Sequence, residues 1–292
     1  MSDAAAGSPV PLTPAALRGW PLPDRTGSKD ERGGVLVVGG ARRTPGAVLL
    51  CGVAALRVGA GRLTLAAAGS VAPTLAVAVP EAGVLSLPES ADGSVRGAAG
   101  VLDDELARAD AVVVGPGLDE PDGTLAVLED VCAGLGDDTV VLLDAFALGV
   151  LRDARAVRDT LAGRLVLTPN TTEATHLLGG EDVPADRAAP LLAERYGAVV
   201  ACTGTVADAD GHVWASASGY SGLGTSGSGD VLAGAVAGLL AGGADAAQAT
   251  CWGVALHATA GDRLAARVGP LGYLARELLT ELPRVLVELQ AR

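Results

Sequence analysis

A glycine-rich segment followed by an aspartate carries the most specific chemical signal in the sequence. Four glycines lie within residues 222–229, and Asp230 follows them directly. Glycine permits tight backbone turns and close approach to a ligand. The apolar run VLAGAVAGLLA after Asp230 predicts a helix whose free N–H groups and positive dipole end face the loop. These features predict a phosphate site beside a carboxylate; the alternative is that Asp230 only caps the helix.

A second glycine-containing junction joins a predicted strand to a predicted helix. Gly39-Gly40 ends an apolar run, and Thr44 is expected to cap a helix that begins at Pro45. The junction lacks the Gly-Lys-Ser/Thr ending of a Walker A loop and the G-x-G-x-x-G pattern. It therefore gives little support to a Rossmann cofactor site, and a plain tight turn explains it equally well.

Asn170 and Glu173 form an N-x-x-E pair just after Thr168-Pro169. Their oxygens suit Mg²⁺, which takes few protein ligands beside nucleotide phosphates and can be held through water. The same pair can instead form a capping box, with the asparagine as N-cap and the glutamate in the first helical turn. The sequence supports the two interpretations equally.

The elements expected to position these residues alternate between strand and helix. Apolar runs predict strands at 35–38, 62–67, 111–114, 140–143, 165–167 and 198–202, and a hairpin at 206–215. Helices are expected at 14–18, 45–58, 230–241, 245–267 and 272–290. Strands that are apolar throughout are buried on both faces, as in a parallel sheet between helical layers. We predict a three-layer α/β/α fold with a mostly parallel central sheet.

Site residues are expected to meet at one edge of that sheet. Gly115-Pro116-Gly117, Asp144 and Asn170 each follow the end of a predicted strand. Ligands of such sheets bind at the carboxyl ends of the strands. Residues 29–292 are predicted to form this single domain, and residues 1–28 a partly ordered lead-in.

Composition excludes several classes of partner. A net charge of −13 disfavours nucleic acid and anionic membranes, because both bind through clustered Lys and Arg. No export signal or membrane-spanning run is visible, so a cytoplasmic location is expected. The three histidines share no metal-ligand spacing, and His257, on an apolar run, is interpreted as a packed histidine and not a ligand.

Several of these motifs together resemble a known family. VLVVGGARRTPGAVLL, VVVGPGL, VLLDAFAL, LTPNTTEATHLLG and GLGTSGSGDVLAGAVAGLLA follow the order seen in the ADP- or ATP-dependent NAD(P)H-hydrate dehydratases. The resemblance runs from about residue 29 to the C-terminus. It implies a ribokinase-like fold and a dehydration of NADHX or NADPHX, the hydrated dinucleotides, back to NADH or NADPH. The family often forms homo-oligomers, and the apolar C-terminal helices offer an interface for one.

The resemblance also implies roles for individual residues. Asp230 would be the general base and would face the substrate hydroxyl, and its place at a helix N-terminus should keep it ionised. Mg²⁺ would assist, with Glu173 as a water-bridged ligand. Ala47, Gly117 and Asn170 would touch the hydrated dinucleotide. Residues of two loops would hold ADP or ATP, namely Cys202, Thr203, Gly204, Thr205, Val206, Gly227, Ser228 and Gly229.

Three positions depart from the family pattern. Asn170 stands where the family has histidine, Cys202 where it has lysine, and Phe146 where it has a second aspartate. The departures leave the choice of ADP or ATP open. They also keep two alternatives in view: a small-molecule kinase of the same superfamily, and a nucleotide-binding homologue without catalysis. Gly224 stands where such kinases usually carry aspartate, which disfavours the kinase.

Overall fold

A computed structural model describes residues 8–24, 26–181, 183–219 and 221–291 of the chain. Within these residues the chain forms one ten-stranded sheet with helices on both faces. The strands are β1 (Val10–Pro11), β2 (Gly34–Val38), β3 (Arg62–Ala68), β4 (Gly83–Leu87), β5 (Ala111–Val114), β6 (Val140–Leu143), β7 (Leu165–Leu167), β8 (Val199–Cys202), β9 (Thr205–Ala207) and β10 (Val213–Ala215).

The sheet is mostly parallel, as predicted. Its strand order is β1-β10-β9-β8-β7-β6-β5-β2-β3-β4. The strands from β8 to β4 in that order run parallel, and only the pairs β8–β9 and β9–β10 are antiparallel. The carboxyl ends of β2, β5, β6, β7 and β8 therefore share one edge of the sheet.

Twelve α-helices are formed by the described residues. They are α1 (Pro14–Gly19), α2 (Pro45–Arg57), α3 (Ala72–Ala78), α4 (Asp103–Leu106), α5 (Pro121–Gly134), α6 (Phe146–Leu151), α7 (Arg155–Leu161), α8 (Thr171–Leu177), α9 (Ala185–Tyr196), α10 (Ser228–Ala241), α11 (Ala246–Val268) and α12 (Ala275–Gln290). The predicted strands and C-terminal helices are confirmed, with bounds that differ by a few residues. The sequence did not predict β1, β4 or the helices α3 to α7 and α9, and it predicted only the start of α8, after Pro169.

Two apolar cores lie on opposite faces of the sheet. Val35 and Val37 of β2 belong to the core beneath α2, α10, α11 and α12, whereas Leu36 and Val38 belong to the core beneath α5 to α9. Successive side chains of a strand point to opposite faces, so an uninterrupted apolar run suits burial on both. This is the physical basis of the three-layer architecture.

The N-terminal segment joins the sheet and the helical layer. β1 pairs with β10, and the rings of Trp20 and Trp214 stack with centroids 5.8 Å apart. The indole N–H of Trp252 donates to the carbonyl of Trp20 over 2.9 Å. The domain boundary at residue 28 remains a prediction. Among the helices described, none is both long and apolar enough to span a membrane.

Glycines bring α10 unusually close to α2. A Cβ at Gly234 would lie 1.9 Å from the carbonyl oxygen of Cys51, and one at Gly238 would lie 2.5 Å from that of Ala55. These contacts are with backbone atoms, which cannot rotate away. The helix that begins at the glycine-rich loop is thus held against α2 at a separation that only glycine permits.

We expect Gly234→Ala to lower the free energy of unfolding by about 3 kcal/mol, because the added methyl overpacks a backbone contact. Gly149→Ala is the matched control: Gly149 is exposed in α6, and an added Cβ would have no neighbour within 4 Å. The control should stay within about 1 kcal/mol of the wild type, on the stabilising side. Denaturant unfolding measures both. Equal midpoints for the two variants would contradict the close-packing argument.

Candidate active site

The start of α10 provides the predicted anion site. Gly227, its N-cap, has φ +88°, and a Cβ there would lie 2.6 Å from Leu50. Within the described residues, no carbonyl accepts a hydrogen bond from the N–H groups of Gly229 or Asp230. Unpaired N–H groups at the positive end of a fourteen-residue helix form a site suited to phosphate.

The loop after β5 meets the first turn of α2. Gly117 has φ +72°, and a Cβ there would lie 3.1 Å from the Cβ of Ala47 and 2.4 Å from the carbonyl oxygen of Thr44. The structure therefore brings Ala47 and Gly117 together, the two residues that the resemblance assigns to the dinucleotide.

Thr44 is the N-cap residue of α2 and Pro45 its first residue, as predicted. The side chain of Thr44 makes no capping bond, however, and its hydroxyl donates to the carbonyl of Gly117 over 2.8 Å. A glycine loop that must stay close to α2 leaves an outward carbonyl, and the threonine hydroxyl satisfies it. The residue fixes one loop against the other.

Three carboxylates converge beneath this edge of the sheet. Burial, and after it the charge of Glu173, raises the pKa of Asp230 to about 6. Burial also raises the pKa of Asp144 to about 7, with a second contribution from Asp230. The negative charge of Asp230 therefore opposes ionisation of Asp144. At neutral pH Asp230 is ionised, as predicted, although its pKa is raised.

Asp144 was noted at a strand end but was not chosen as a site residue. It is 5% exposed, and Thr168 Oγ1 donates to its Oδ1 over 2.8 Å. The sequence did contain a signal for Asp144 as a site residue, because it is an aspartate directly after a predicted central strand. Phe146, two residues later, is partly buried against the core of the α5–α9 face.

Asn170 and Glu173 form a capping box. The side chain of Asn170 accepts from the Glu173 N–H over 3.0 Å, and Glu173 Oε2 accepts from the Asn170 N–H over 2.9 Å. Burial raises the pKa of Glu173. The capping interpretation is confirmed, and the metal interpretation remains a prediction.

The donor set fits a water-bridged Mg²⁺ better than a directly coordinated one. In the described part of the chain, the carboxylates that approach within 4.8 Å of one another as a potential metal cage are Asp208 and Asp210 with His212, and not the trio at this edge. Asp208 and His212 already bond to each other in the β9–β10 hairpin. Mg²⁺ usually keeps several waters and leans on substrate phosphates, so a looser carboxylate cluster suits it.

The predicted nucleotide loop is a two-residue hairpin. Cys202 of β8 pairs with Thr205 of β9, and Thr203 and Gly204 between them have φ +47° and +84°. Both central residues of such a turn require positive φ. Val206 and Cys202 are buried, so the loop offers its backbone and not these side chains. Position 202, where the family pattern has lysine, carries the uncharged side chain of Cys202.

Ser228 and His257 form a buried pair behind the anion site. The hydroxyl of Ser228 lies 2.9 Å from His257 Nε2, and both residues are under a tenth exposed. Burial lowers the pKa of His257 to about 4, so its ring is neutral at neutral pH and Nε2 can accept a hydrogen bond from the Ser228 hydroxyl. His257 is thus a packed histidine, as interpreted, but it holds the first residue of α10. No sequence pattern connected the two.

Known proteins are similar to almost the whole chain. Residues 35–284 match the family described as NAD(P)H-hydrate dehydratase. The chain is 45% identical over 285 residues to the ADP-dependent (S)-NAD(P)H-hydrate dehydratase of Xanthomonas campestris, covering 94% of this chain and 95% of that protein. The chain belongs to the NAD(P)H-hydrate dehydratase family.

Other members of the family differ in length. The chain is 36% identical to the bifunctional NAD(P)H-hydrate repair enzyme of Moorella thermoacetica, but it spans only 52% of that protein. The ADP/ATP-dependent NAD(P)H-hydrate dehydratase of Bacillus subtilis, co-crystallised with ATP and Mg²⁺, superposes with a TM-score of 0.77 at 26% identity and covers 97% of this chain and 100% of that one. A ribokinase-like superfamily protein of Enterococcus faecalis gives 0.82 at 21% identity, which confirms the fold.

The buried imidazole makes stability depend on pH. The folded-state pKa of His257 lies near 4, below the value of about 6.5 in an unfolded chain, so the unfolded state binds the extra proton. The stability that the wild type draws from the neutral, buried His257 is therefore lost as pH falls from about 6.5 toward 4. The difference in unfolding free energy between the wild type and His257→Gln should shrink by up to about 3 kcal/mol over that range. A difference that is constant with pH would refute the buried neutral state.

Proposed function

We propose that the protein dehydrates the hydrated dinucleotides NADHX and NADPHX to NADH and NADPH, with ADP or ATP as phosphate donor. One observation supports this proposal most directly. Asp230 and the free N–H groups of α10 lie in a carboxylate-lined site, at the same edge of the sheet as Gly117. The near full-length relative from Xanthomonas campestris, named as an ADP-dependent dehydratase, supports it. The protein is then a hydro-lyase.

The first step would transfer a phosphoryl group to the hydroxyl on the nicotinamide ring. Asp230, ionised at neutral pH, takes the hydroxyl proton while the oxygen attacks the terminal phosphorus of the nucleotide. The N–H groups at the start of α10 stabilise the charge on the transferring phosphoryl group. The hydroxyl becomes a phosphate ester, because hydroxide is a poor leaving group and phosphate a good one.

The second step would eliminate phosphate. The C–O bond breaks with its electron pair on phosphate, a proton leaves the neighbouring ring carbon, and the ring double bond returns. Ala47, Gly117 and Asn170 are proposed to hold the dinucleotide, and the hairpin at 202–206 with Gly227, Ser228 and Gly229 to hold the nucleotide. The hydroxyl of Ser228 is committed to His257, so Ser228 would act only through its backbone.

Mg²⁺ is proposed to bind with the nucleotide, held through water by Glu173. When bound it supplies positive charge to the phosphates, which matters here because position 202 carries no lysine. Glu173 Oε2 is engaged by the Asn170 N–H, which leaves Oε1 to face such waters. A cytoplasmic location and a homo-oligomeric assembly remain predictions from the sequence.

The test is a recovery assay. Purified protein is mixed with hydrated NADH, Mg²⁺ and either ADP or ATP, and the reduced-nicotinamide absorbance is followed. Recovery that requires one nucleotide establishes the dehydratase and identifies its donor. Nucleotide consumption with a stable phosphorylated product would instead indicate the kinase, and binding without turnover would indicate the non-catalytic homologue.

We expect Asp230→Asn to lower turnover by about three orders of magnitude, since it removes the base while keeping shape. Nucleotide affinity, measured by calorimetry, should change little. Asp210→Asn, on the exposed β9–β10 turn, is the matched control and should retain full turnover. Near-normal turnover in Asp230→Asn would eliminate the catalytic role.

The proposed base also predicts an acid limit. Because the pKa of Asp230 is about 6, its carboxylate is replaced by the neutral acid as pH falls below that value. The rate kcat/KM should fall about tenfold per pH unit there. Steady-state rates from pH 4.5 to 8, with folding checked at each pH, measure this. A flat profile down to pH 4.5 would contradict the assignment.

A further inference from the structure

Asp144 occupies the strand end between the two sides of the proposed dinucleotide site. β6, which it follows, lies between β5, which leads to Gly117, and β7, which leads to Asn170. Neighbouring strands lie about 4.8 Å apart. A ligand that touches both Gly117 and Asn170 must therefore pass over the end of β6.

The ionised groups that act on Asp144 are both negative. Asp230 and Glu173 raise the pKa of Asp144, and only hydrogen bonds from the Thr168 hydroxyl and the Ala145 backbone lower it among the described residues. A buried carboxylate that faces two others without a cation costs stability. Such a cost is typical of a group retained for chemistry.

Local geometry holds this carboxyl group in one position. Ala145, directly after it, has φ +49°, a strained value for a residue with a side chain. A Cβ at Gly115 would lie 1.8 Å from the carbonyl oxygen of Asp144, so the β5 loop packs tightly against the same residue. Thr168 Oγ1 orients Oδ1 from the β7 side. The β5 loop and Ala145 thus constrain the backbone of Asp144, and Thr168 orients its carboxyl group.

The proposed reaction removes two protons from the substrate at different atoms. The hydroxyl proton leaves during phosphorylation and goes to Asp230. The ring-carbon proton leaves during elimination, when Asp230 still carries the first proton unless it has been released. A second base within reach of the ring removes this conflict.

We propose that Asp144 is that second base and takes the proton from the ring carbon next to the one that bears the phosphate. The C–H electron pair forms the ring double bond, and the C–O pair leaves with phosphate. The proton then passes from Asp144 to the departing phosphate, which is released as hydrogen phosphate. This inference rests on the proposed dehydratase function. A pKa near neutrality lets Asp144 take up the proton and release it within one cycle.

A single-turnover experiment separates the two steps. Enzyme in excess over hydrated NADH is mixed with Mg²⁺ and the accepted nucleotide, then quenched at intervals, and the nucleotide product and NADH are measured in the same samples. In Asp144→Asn, we expect the nucleotide product to form within about threefold of the wild-type rate, while NADH forms about 100-fold more slowly. Phosphorylated dinucleotide should accumulate. In Asp230→Asn, neither product should form.

Two results would overturn the inference. One is NADH formation in Asp144→Asn at the wild-type rate, and the other is an equal loss of both products. Absence of NADH from the wild type itself would instead refute the proposed function, so the two failures are distinguishable.

Folding is not expected to limit the test. Asparagine keeps an acceptor for Thr168 and removes the repulsion with Asp230, so the melting temperature should not fall. If Asp144→Asn nevertheless fails to unfold cooperatively, Thr168→Val replaces it. That variant keeps the carboxylate but frees it from its donor, and NADH formation should slow more than nucleotide cleavage. Equal slowing of both would reject the role.

Discussion

The contact between α10 and α2 is the constraint on which the site depends. Gly234 and Gly238 let the two helices approach until the Cβ atoms of larger residues would overlap backbone carbonyls. That approach sets where α10 begins, and its first turn supplies both the anion site and Asp230. The same α2 carries Ala47 against Gly117. One pair of packed helices therefore positions the proposed phosphate site and one side of the dinucleotide site together.

Three hydroxyl groups connect segments that are far apart in sequence. Thr44 bonds the β5 loop, Thr168 bonds Asp144, and Ser228 bonds His257. Each joins the end of a strand or the start of a helix to a neighbouring element. Thr168 and Ser228 are buried, so their bonds also satisfy polar atoms that would otherwise be costly to bury, whereas Thr44 is exposed. The loops around the site are thereby held by side chains as well as by glycine geometry.

The clustered carboxylates of the site lower the stability of the folded protein. Asp230 and Glu173 raise the pKa of Asp144, Glu173 raises that of Asp230, and the lysine of the family pattern is absent at position 202. The positive counterpart within the described chain is the first turn of α10, which provides partial charge only. Such a site favours a ligand that brings its own cations, as a Mg²⁺–nucleotide does. It also provides carboxylates whose protonation changes near neutral pH, which acid–base chemistry requires.

The sequence by itself determined the three-layer fold, the central strands and the glycine-rich start of α10. Apolar runs long enough to be buried on both faces, and glycines next to an aspartate, have few other structural meanings. The motif order was sufficient for the family as well. Helices α3, α4, α6 and α7 have seven residues or fewer, too few to show a helical period. Helices α5 and α9, of 14 and 12 residues, were missed although their length would have allowed it.

Only the tertiary structure decided how the site is assembled. It showed that the Thr44 hydroxyl bonds Gly117 and makes no side-chain cap, that Ser228 turns inward to His257, and that Asp144 lies close enough to Asp230 for the charge of Asp230 to raise its pKa. These contacts join residues separated by 29 to 86 positions, through strand order and helix packing that no local pattern encodes. A pKa depends on burial and on neighbouring charges, and both are properties of the folded chain.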